Sequence, residues 1–191
     1  MTLQSSLYIV VEEPADAHII RGILGKELAG KLRFFAASGR LSLATVGRNI
    51  LVHEGGPVLL VMDADTRNQQ LVERLRSMAF LATSGVLPPN HPQLSDWVKV
   101  FAFVPEIEVI FFEAPQSLEI ILGKQIPEEK VQEGLLAPKA MLAKLLGEAK
   151  IDYQTVVKAM SPEVASILAS GSQAQALKAT IESMMTAAVK V

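Results

Sequence analysis

Glu12, Asp63 and Asp65 are the residues whose type and spacing first suggest chemistry. Asp63 and Asp65 stand two apart, so an extended backbone sends both carboxylates to one side, where they can share a cation. Glu12 follows the apolar run Leu7 to Val11, and Asp63 follows a second run, Val58 to Met62. If both runs are strands of a doubly wound parallel sheet, their carboxyl ends share one rim, which is where such sheets gather ligands. The chain has no cysteine, and its three histidines, His18, His53 and His91, lie far apart. A cluster of carboxylates alone suits magnesium or manganese and not zinc. The plainer reading is that acids after strands cap or precede the next helix.

The elements needed to place these acids are legible as an alternation. Leu7–Val11, residues 32–37 and residues 58–62 are short runs of β-forming residues, separated by segments of helical period, which is the βαβ pattern of a parallel sheet. Pro14 suits a helix start and Asp16 its first turn, with Ile19, Ile20, Ile23, Leu24 and Leu28 facing inward. A second helix is expected after Ser38-Gly39-Arg40, burying Leu41, Ala44 and Leu51. Thr66 is expected to cap a third, reaching about Ala82. Residues 84–97, SGVLPPNHPQLSDW, carry three prolines and are expected to be irregular, a mobile loop or a lid. Residues 98–104 read as a fourth strand, with a helix beginning near Glu106. From Pro127 onward the pattern is helical throughout, with starts at Pro138, Ser161-Pro162-Glu163 and Ser172.

The order of these motifs resembles the Toprim domain of topoisomerases, bacterial primases, OLD-family nucleases and recombination mediators. Residues 8–24, YIVVEEPADAHIIRGIL, are similar to the family's first motif, a hydrophobic strand followed by Glu-Gly-x-x-Asp and an apolar helix, with Glu12 and Asp16 on its two acids. Residues 58–67, VLLVMDADTR, resemble the Asp-x-Asp motif after strand three, and FAASGRLSLATVGRNIL resembles the turn and helix that follow strand two in OLD-type members. The resemblance spans roughly residues 5–115 and implies a Rossmann-like α/β sheet of about four parallel strands flanked by helices. It implies that Glu12 is the general acid or base of phosphoryl transfer, and that Asp63 and Asp65 bind magnesium or manganese. The segment FVPEIEVIFFEAP is similar to one in small prokaryotic Toprim-like proteins and implies a further metal-proximal acid, Glu106 or Glu108; either also suits a helix first turn. Arg40 and Arg67 follow strand ends two and three and could clamp phosphate oxygens, and the Ser38-Gly39 turn could offer backbone N–H groups. Both arginines also read as ordinary surface residues. One departure stands out: Glu13 occupies the position of the family's glycine.

Half of the 191 residues are apolar, which suffices for one substantial core. The expected division is a Toprim-like α/β domain over residues 1–126 and a helical extension over 127–191. The N-terminus has no basic leader, and its apolar run is too short for a signal peptide or a span, so a soluble cytoplasmic protein without membrane contact is expected. A net charge of −2 argues against a broad basic surface, so any nucleic acid contact must be local and metal-bridged. Two functions follow: a metal-dependent nuclease or phosphoryl-transfer protein, or a non-catalytic Toprim-fold module whose C-terminal helices form a homo-oligomer or bind a protein partner. A receiver-like phospho-aspartate domain is a third reading, disfavoured by Asp-x-Asp and by the lack of a clear lysine after a fifth strand.

Overall fold

The computed structural model describes residues 6–88, 94–158 and 160–188. Four strands, β1 (Leu7–Val11), β2 (Leu32–Ala36), β3 (Val58–Asp63) and β4 (Val98–Phe103), form one parallel sheet in the order β2-β1-β3-β4. The two central strands are apolar from Leu7 to Val11 and from Val58 to Met62 because both of their faces are covered, and Asp63 closes the second. On one face, Leu7, Ile9, Val11, Leu59, Val61, Phe101 and Phe103 pack against α1 (Pro14–Ala29) and the C-terminal helices. On the other, Tyr8, Val10, Val58, Leu60, Met62 and Ala102 pack against α2 (Arg40–His53) and α3 (Gln69–Ser84). Because α1 and α2 cover opposite faces, the winding reverses between β1 and β3. Their carboxyl ends therefore flank the crevice of the sheet.

The remaining helices are α4 (Leu94–Trp97), α5 (Val109–Glu113), α6 (Pro115–Leu122), α7 (Glu128–Leu136), α8 (Pro138–Ala149), α9 (Tyr153–Lys158), α10 (Pro162–Leu168) and α11 (Ser172–Ala188). Leu142, Leu145, Val164, Leu168, Leu177, Ile181 and Met184 are each at most 2% exposed and belong to the same core as β1 and β3. At roughly 1.5–3 kcal/mol per buried side chain, these seven contribute roughly 10–20 kcal/mol before conformational entropy is subtracted. Residues on both sides of position 126 thus share one apolar core.

Four expectations are corrected. Leu41 is 98% exposed, and α2 buries Leu43, Gly47, Ile50 and Leu51 instead. The Ser38-Gly39 turn, with φ of 60° and 107°, sets the helix phase so that Arg40, not Leu41, is part-buried. Thr66 does not cap α3. Asn68 does, its side chain accepting from the N–H groups of Gln70 and Leu71 at 3.0 and 3.2 Å. Regular α-helix after β4 begins at Val109, because residues 104–108 first cross the end of β3. Lastly, Ser84 closes α3 and Leu94–Trp97 is helical, so only part of 84–97 is irregular; residues 89–93, at the centre of the expected loop, lie outside the described residues.

Candidate functional site

Glu12 is the first residue beyond β1, and its Oε1 accepts the N–H of Asp63 at 3.0 Å, tying the ends of β1 and β3 together. Asp63 is the last residue of β3. Its Oδ1 accepts the Ile107 N–H at 2.8 Å, and Asp65 N–H donates to the Pro105 carbonyl at 2.8 Å, so the 104–108 strap is bound to the strand end at two points. That strap is braced from behind by Gln173 of α11, which accepts the Val104 N–H and donates to the Val104 carbonyl, both at 2.7 Å.

Asp65 departs from the strand. Its φ is 51°, a left-handed conformation that aspartate tolerates better than most side chains. The turn sends its carboxylate to Arg40, whose Nη2 donates to Asp65 Oδ2 at 2.5 Å and to the Asp63 carbonyl at 2.8 Å, while its Nε donates to Glu12 Oε1 at 3.3 Å. Burial disfavours the Arg40 charge, but Asp65 and Glu12 outweigh it and hold the guanidinium pKa above its usual value. Arg40 is therefore engaged with the acids. The Gly39 N–H is likewise committed, donating to the Glu12 carbonyl at 2.9 Å. Ser38 is exposed, and Arg67 is exposed and does not line the pocket described next.

A cavity of about 790 Å³ opens between the start of α1, the ends of β1 and β3, and helices α8 and α9. Glu12, Asp16, Asp63 and Glu108 line one end with Lys139 and Tyr153, while Leu142, Leu146 and Val157 form an apolar wall. Glu108 is only 6% exposed. Its Oε2 and the Tyr153 hydroxyl are both buried and face each other, with no other hydrogen-bond partner among the described residues. Burial raises the Glu108 carboxyl above its ordinary pKa. Burial, reinforced by the charge of Glu108, lifts Asp63 to about 8, and burial lifts Asp16 to about 6, again with Glu108 and Glu12 adding. Tyr153 is pushed up by burial and by facing Glu108. Lys139 moves up despite burial, because Glu108, Asp63, Glu106 and Asp65 favour its charge. Glu106 itself turns to the start of α8, accepting the Lys139 N–H at 3.2 Å, a favourable place for an anion.

The donor set fits a hard divalent cation in kind, since it is all carboxylate and includes the buried Glu108 Oε2, which has no hydrogen-bond partner beyond the facing Tyr153 hydroxyl. Among the described residues no three acidic or histidine side chains converge closely enough to hold a metal ion as they stand. Of the residues singled out from sequence, Glu12, Asp63 and Glu108 come together in the cavity, and Asp65 is linked to them through Arg40. Lys139 and Tyr153 were not foreseen. Pro138 marked the start of α8, but nothing in the linear pattern announces that α8 and α9 cover the rim. Asp16 suits the first turn of a helix. It does accept the Glu13 N–H at 2.9 Å, and it also faces the cavity.

Comparison with known structures gives the fold its class. The whole chain matches the C-terminal region of the Xanthomonas campestris pv. campestris OLD protein with a TM-score of 0.53, covering 100% of this chain and 98% of that one at 14% identity. The C-terminal region of the Burkholderia pseudomallei OLD protein matches with a TM-score of 0.50, covering 97% and 98% at 14% identity. The fold is thus an OLD-type, Toprim-like α/β fold, and the likeness includes the C-terminal helices. No protein-family model matches the sequence, and no curated protein matches it.

Proposed function

We propose that this chain is a divalent-cation-dependent phosphodiesterase acting on nucleic acid, with magnesium or manganese held by Asp63 and Glu108 beside Glu12. The observation that carries the reading is the meeting of acids from the ends of β1 and β3 and from the strap before α5 in one cavity with Lys139. A bound cation would offset charge on the scissile phosphate and acidify a water. The chain supplies the rest. Glu12 Oε1 is fixed by Asp63 N–H and Arg40, leaving Oε2 to take a proton from an attacking water. Lys139 faces the acids with its charge favoured and can bind a phosphate oxygen. Arg40 acts as a positioning residue for Glu12 and Asp65. Contact with nucleic acid would be local, in keeping with a net charge of −2. No described helix is long and apolar enough to cross a membrane, and a cytoplasmic setting belongs to the same reading.

One arrangement favours the non-catalytic alternative. Arg40 already pairs with both Glu12 and Asp65, and Leu136 in the helical extension is 58% exposed, as a partner-binding module would require. Thermal melts in EDTA, magnesium and manganese, run beside incubation with labelled single- and double-stranded DNA and RNA, separate the two. The enzyme reading expects manganese to raise the wild-type Tm, Asp63→Asn to lose most of that rise, and Glu12→Gln to keep it while losing cleavage. Absence of any shift with either metal, or cleavage that survives EDTA, refutes it.

A further inference from the structure

The two edges of the sheet are finished differently. On β4, the Ala102 carbonyl accepts from Arg76 Nη2 at 3.4 Å, and Gln173 engages both the N–H and the carbonyl of Val104 at 2.7 Å. Outward backbone groups at that end are thus satisfied within the chain. On β2, Ala37 N–H donates to the Val11 carbonyl at 2.9 Å, so Ala37, and by alternation Phe35 and Arg33, turn their backbone groups toward β1. Leu32, Phe34 and Ala36 point theirs away from the sheet, where among the described residues nothing bonds to them. The register with β1 is unbroken from Leu32 to Ala36, so no bulge interrupts this edge, and the strand LRFFA has no proline. Arg33, Phe35 and Ala36 are exposed. Of the devices that usually protect an open edge, β2 carries only the charge of Arg33.

A second copy of the same strand fits this edge. Antiparallel pairing about a two-fold axis at Phe34 sets Phe34 opposite Phe34 and Leu32 opposite Ala36, each pair exchanging both backbone hydrogen bonds. A two-fold interface must be self-complementary in this way. The same register puts Arg33 directly opposite the second copy's Phe35, in the closely spaced kind of pair, where a guanidinium and a ring attract. Arg33 and Arg21 already lie near rings at this edge, 5.9 Å from the Tyr8 centroid and 4.4 Å from the Phe34 centroid. Neither arginine has an ion-pair partner among the described residues. Along β2 no like charges stand directly opposite. Pairing two copies of β4 through Val98 and Val100 would instead set Lys99 against Lys99, which is unfavourable.

We propose that the chain forms a two-fold dimer through β2, joining two four-stranded sheets into one of eight strands. Because the strands are antiparallel across the junction, the two acidic cavities stand at opposite ends of the joined sheet. The dimer does not depend on the phosphodiesterase reading.

Sedimentation velocity over a concentration series, in EDTA, reads the association without any metal or substrate. Two substitutions at one position separate this register from an edge that is merely apolar. Phe35 is 38% exposed, so a polar side chain there leaves the core intact, and circular dichroism matching wild type checks that the variants fold. Phe35→Arg sets guanidinium against guanidinium in both Arg33 pairs, while Phe35→Glu sets a carboxylate against each Arg33. The proposal expects wild type to dimerise reversibly, Phe35→Arg to weaken the dimer by about tenfold or more, and Phe35→Glu to hold it as tightly as wild type or tighter. Hydrogen exchange on wild type gives a second reading: the Phe34 and Ala36 amides should exchange more slowly as protein concentration rises. A wild type that stays monomeric throughout the series, a dimer that Phe35→Arg leaves intact, or one that Phe35→Glu disrupts as much as Phe35→Arg does overturns the proposal. So does exchange at Phe34 that is fast and independent of concentration.

Discussion

Asp16, Asp63 and Glu108, whose carboxyls burial lifts above their ordinary range, make the stability of the cation-free protein fall as pH rises, opposite to the usual behaviour of ion-paired carboxylates. Asp63 has its carboxyl lifted from 3.8 to about 8, first by burial and then by Glu108. A raised folded-state pKa means that the folded protein binds more protons than the unfolded chain between those values, so stability declines with pH across that interval. The contribution is complete below about pH 4, lost progressively toward pH 8 and absent above it. At 1.36 kcal/mol per pH unit, Asp63 titrating alone would remove roughly 5–6 kcal/mol. Asp16, lifted from 3.8 to about 6, adds in the same direction over the lower half of the window. The two share Glu108 as a cause, so the cluster titrates as a unit and the sum is smaller than its parts. A fall of about 3–5 kcal/mol between pH 5 and pH 9 is a large share of the 5–15 kcal/mol typical of a domain.

Urea unfolding in EDTA at intervals from pH 5 to pH 9 measures this directly, with Asp63→Asn as the control. Asparagine keeps a carbonyl oxygen for the Ile107 N–H, now bonded at 2.8 Å, and removes the charge. The variant should lose most of the pH slope and exceed wild type by about 3 kcal/mol at pH 9. A wild-type curve that is flat over this range, or an Asp63→Asn curve that runs parallel to it, would refute the reasoning.

Three further expectations concern the frame around the site. Gly134→Ala would place a methyl 2.1 Å from Cδ1 of Phe112, which is 1% exposed; it should destabilise by about 1–3 kcal/mol, seen as a lower urea midpoint at unchanged slope. Gln173→Ala removes both hydrogen bonds to Val104 and should cost about 2 kcal/mol, while Gln173→Glu, which keeps only the acceptor, should fall between it and wild type in the same unfolding assay. Asp65→Asn should change cation-free stability at pH 7 by less than about 1 kcal/mol, because that carboxylate is 58% exposed and paired with Arg40; a rise of several kcal/mol would mean that Asp65 belongs to the repelling cluster.

What sequence could convey was the part governed by local pattern. The runs Leu7–Val11 and 58–62 are apolar throughout because both faces of a central strand are buried, and that continuity is visible in one dimension. The order of Glu12 and Asp63 after such runs then fixes their proximity once the strands are adjacent, as the register Ile9 to Leu59 shows them to be. Helix starts at Pro14, Pro138 and Pro162 were equally local. Leu41 and Thr66 were misplaced because each depended on a turn. The positive φ at Ser38 and Gly39 rotates α2, and the positive φ at Asp65 delays the start of α3 to Asn68. Periodicity gives the spacing of a stripe but not its phase when the turn before it is unusual. Lys139 and Tyr153 are out of reach for a different reason, since they meet Glu108 and Asp63 only through packing of α8 and α9 against strand ends tens of residues earlier in the chain.

The Asp-Ala-Asp segment shows how far apart two residues of one motif can be driven. Alternation along an extended strand would keep Asp63 and Asp65 on one side, as carboxylates of equal standing. Asp63 instead ends the strand inside the cavity, where burial and Glu108 oppose its charge and Ile107 N–H is its hydrogen-bond partner. Asp65, two residues on and past the left-handed turn, lies toward solvent with a guanidinium beside it. The first is unstable as an anion without a cation, while the second already has one. It follows that the charge demand of the site sits at Asp63 and Glu108, and that Arg40 stabilises the Glu12 and Asp65 side of the same strand ends. A divalent ion entering this site would find its strongest drive at the carboxylates roofed by α8 and α9, which is why the C-terminal helices form part of the site and do not merely brace the sheet.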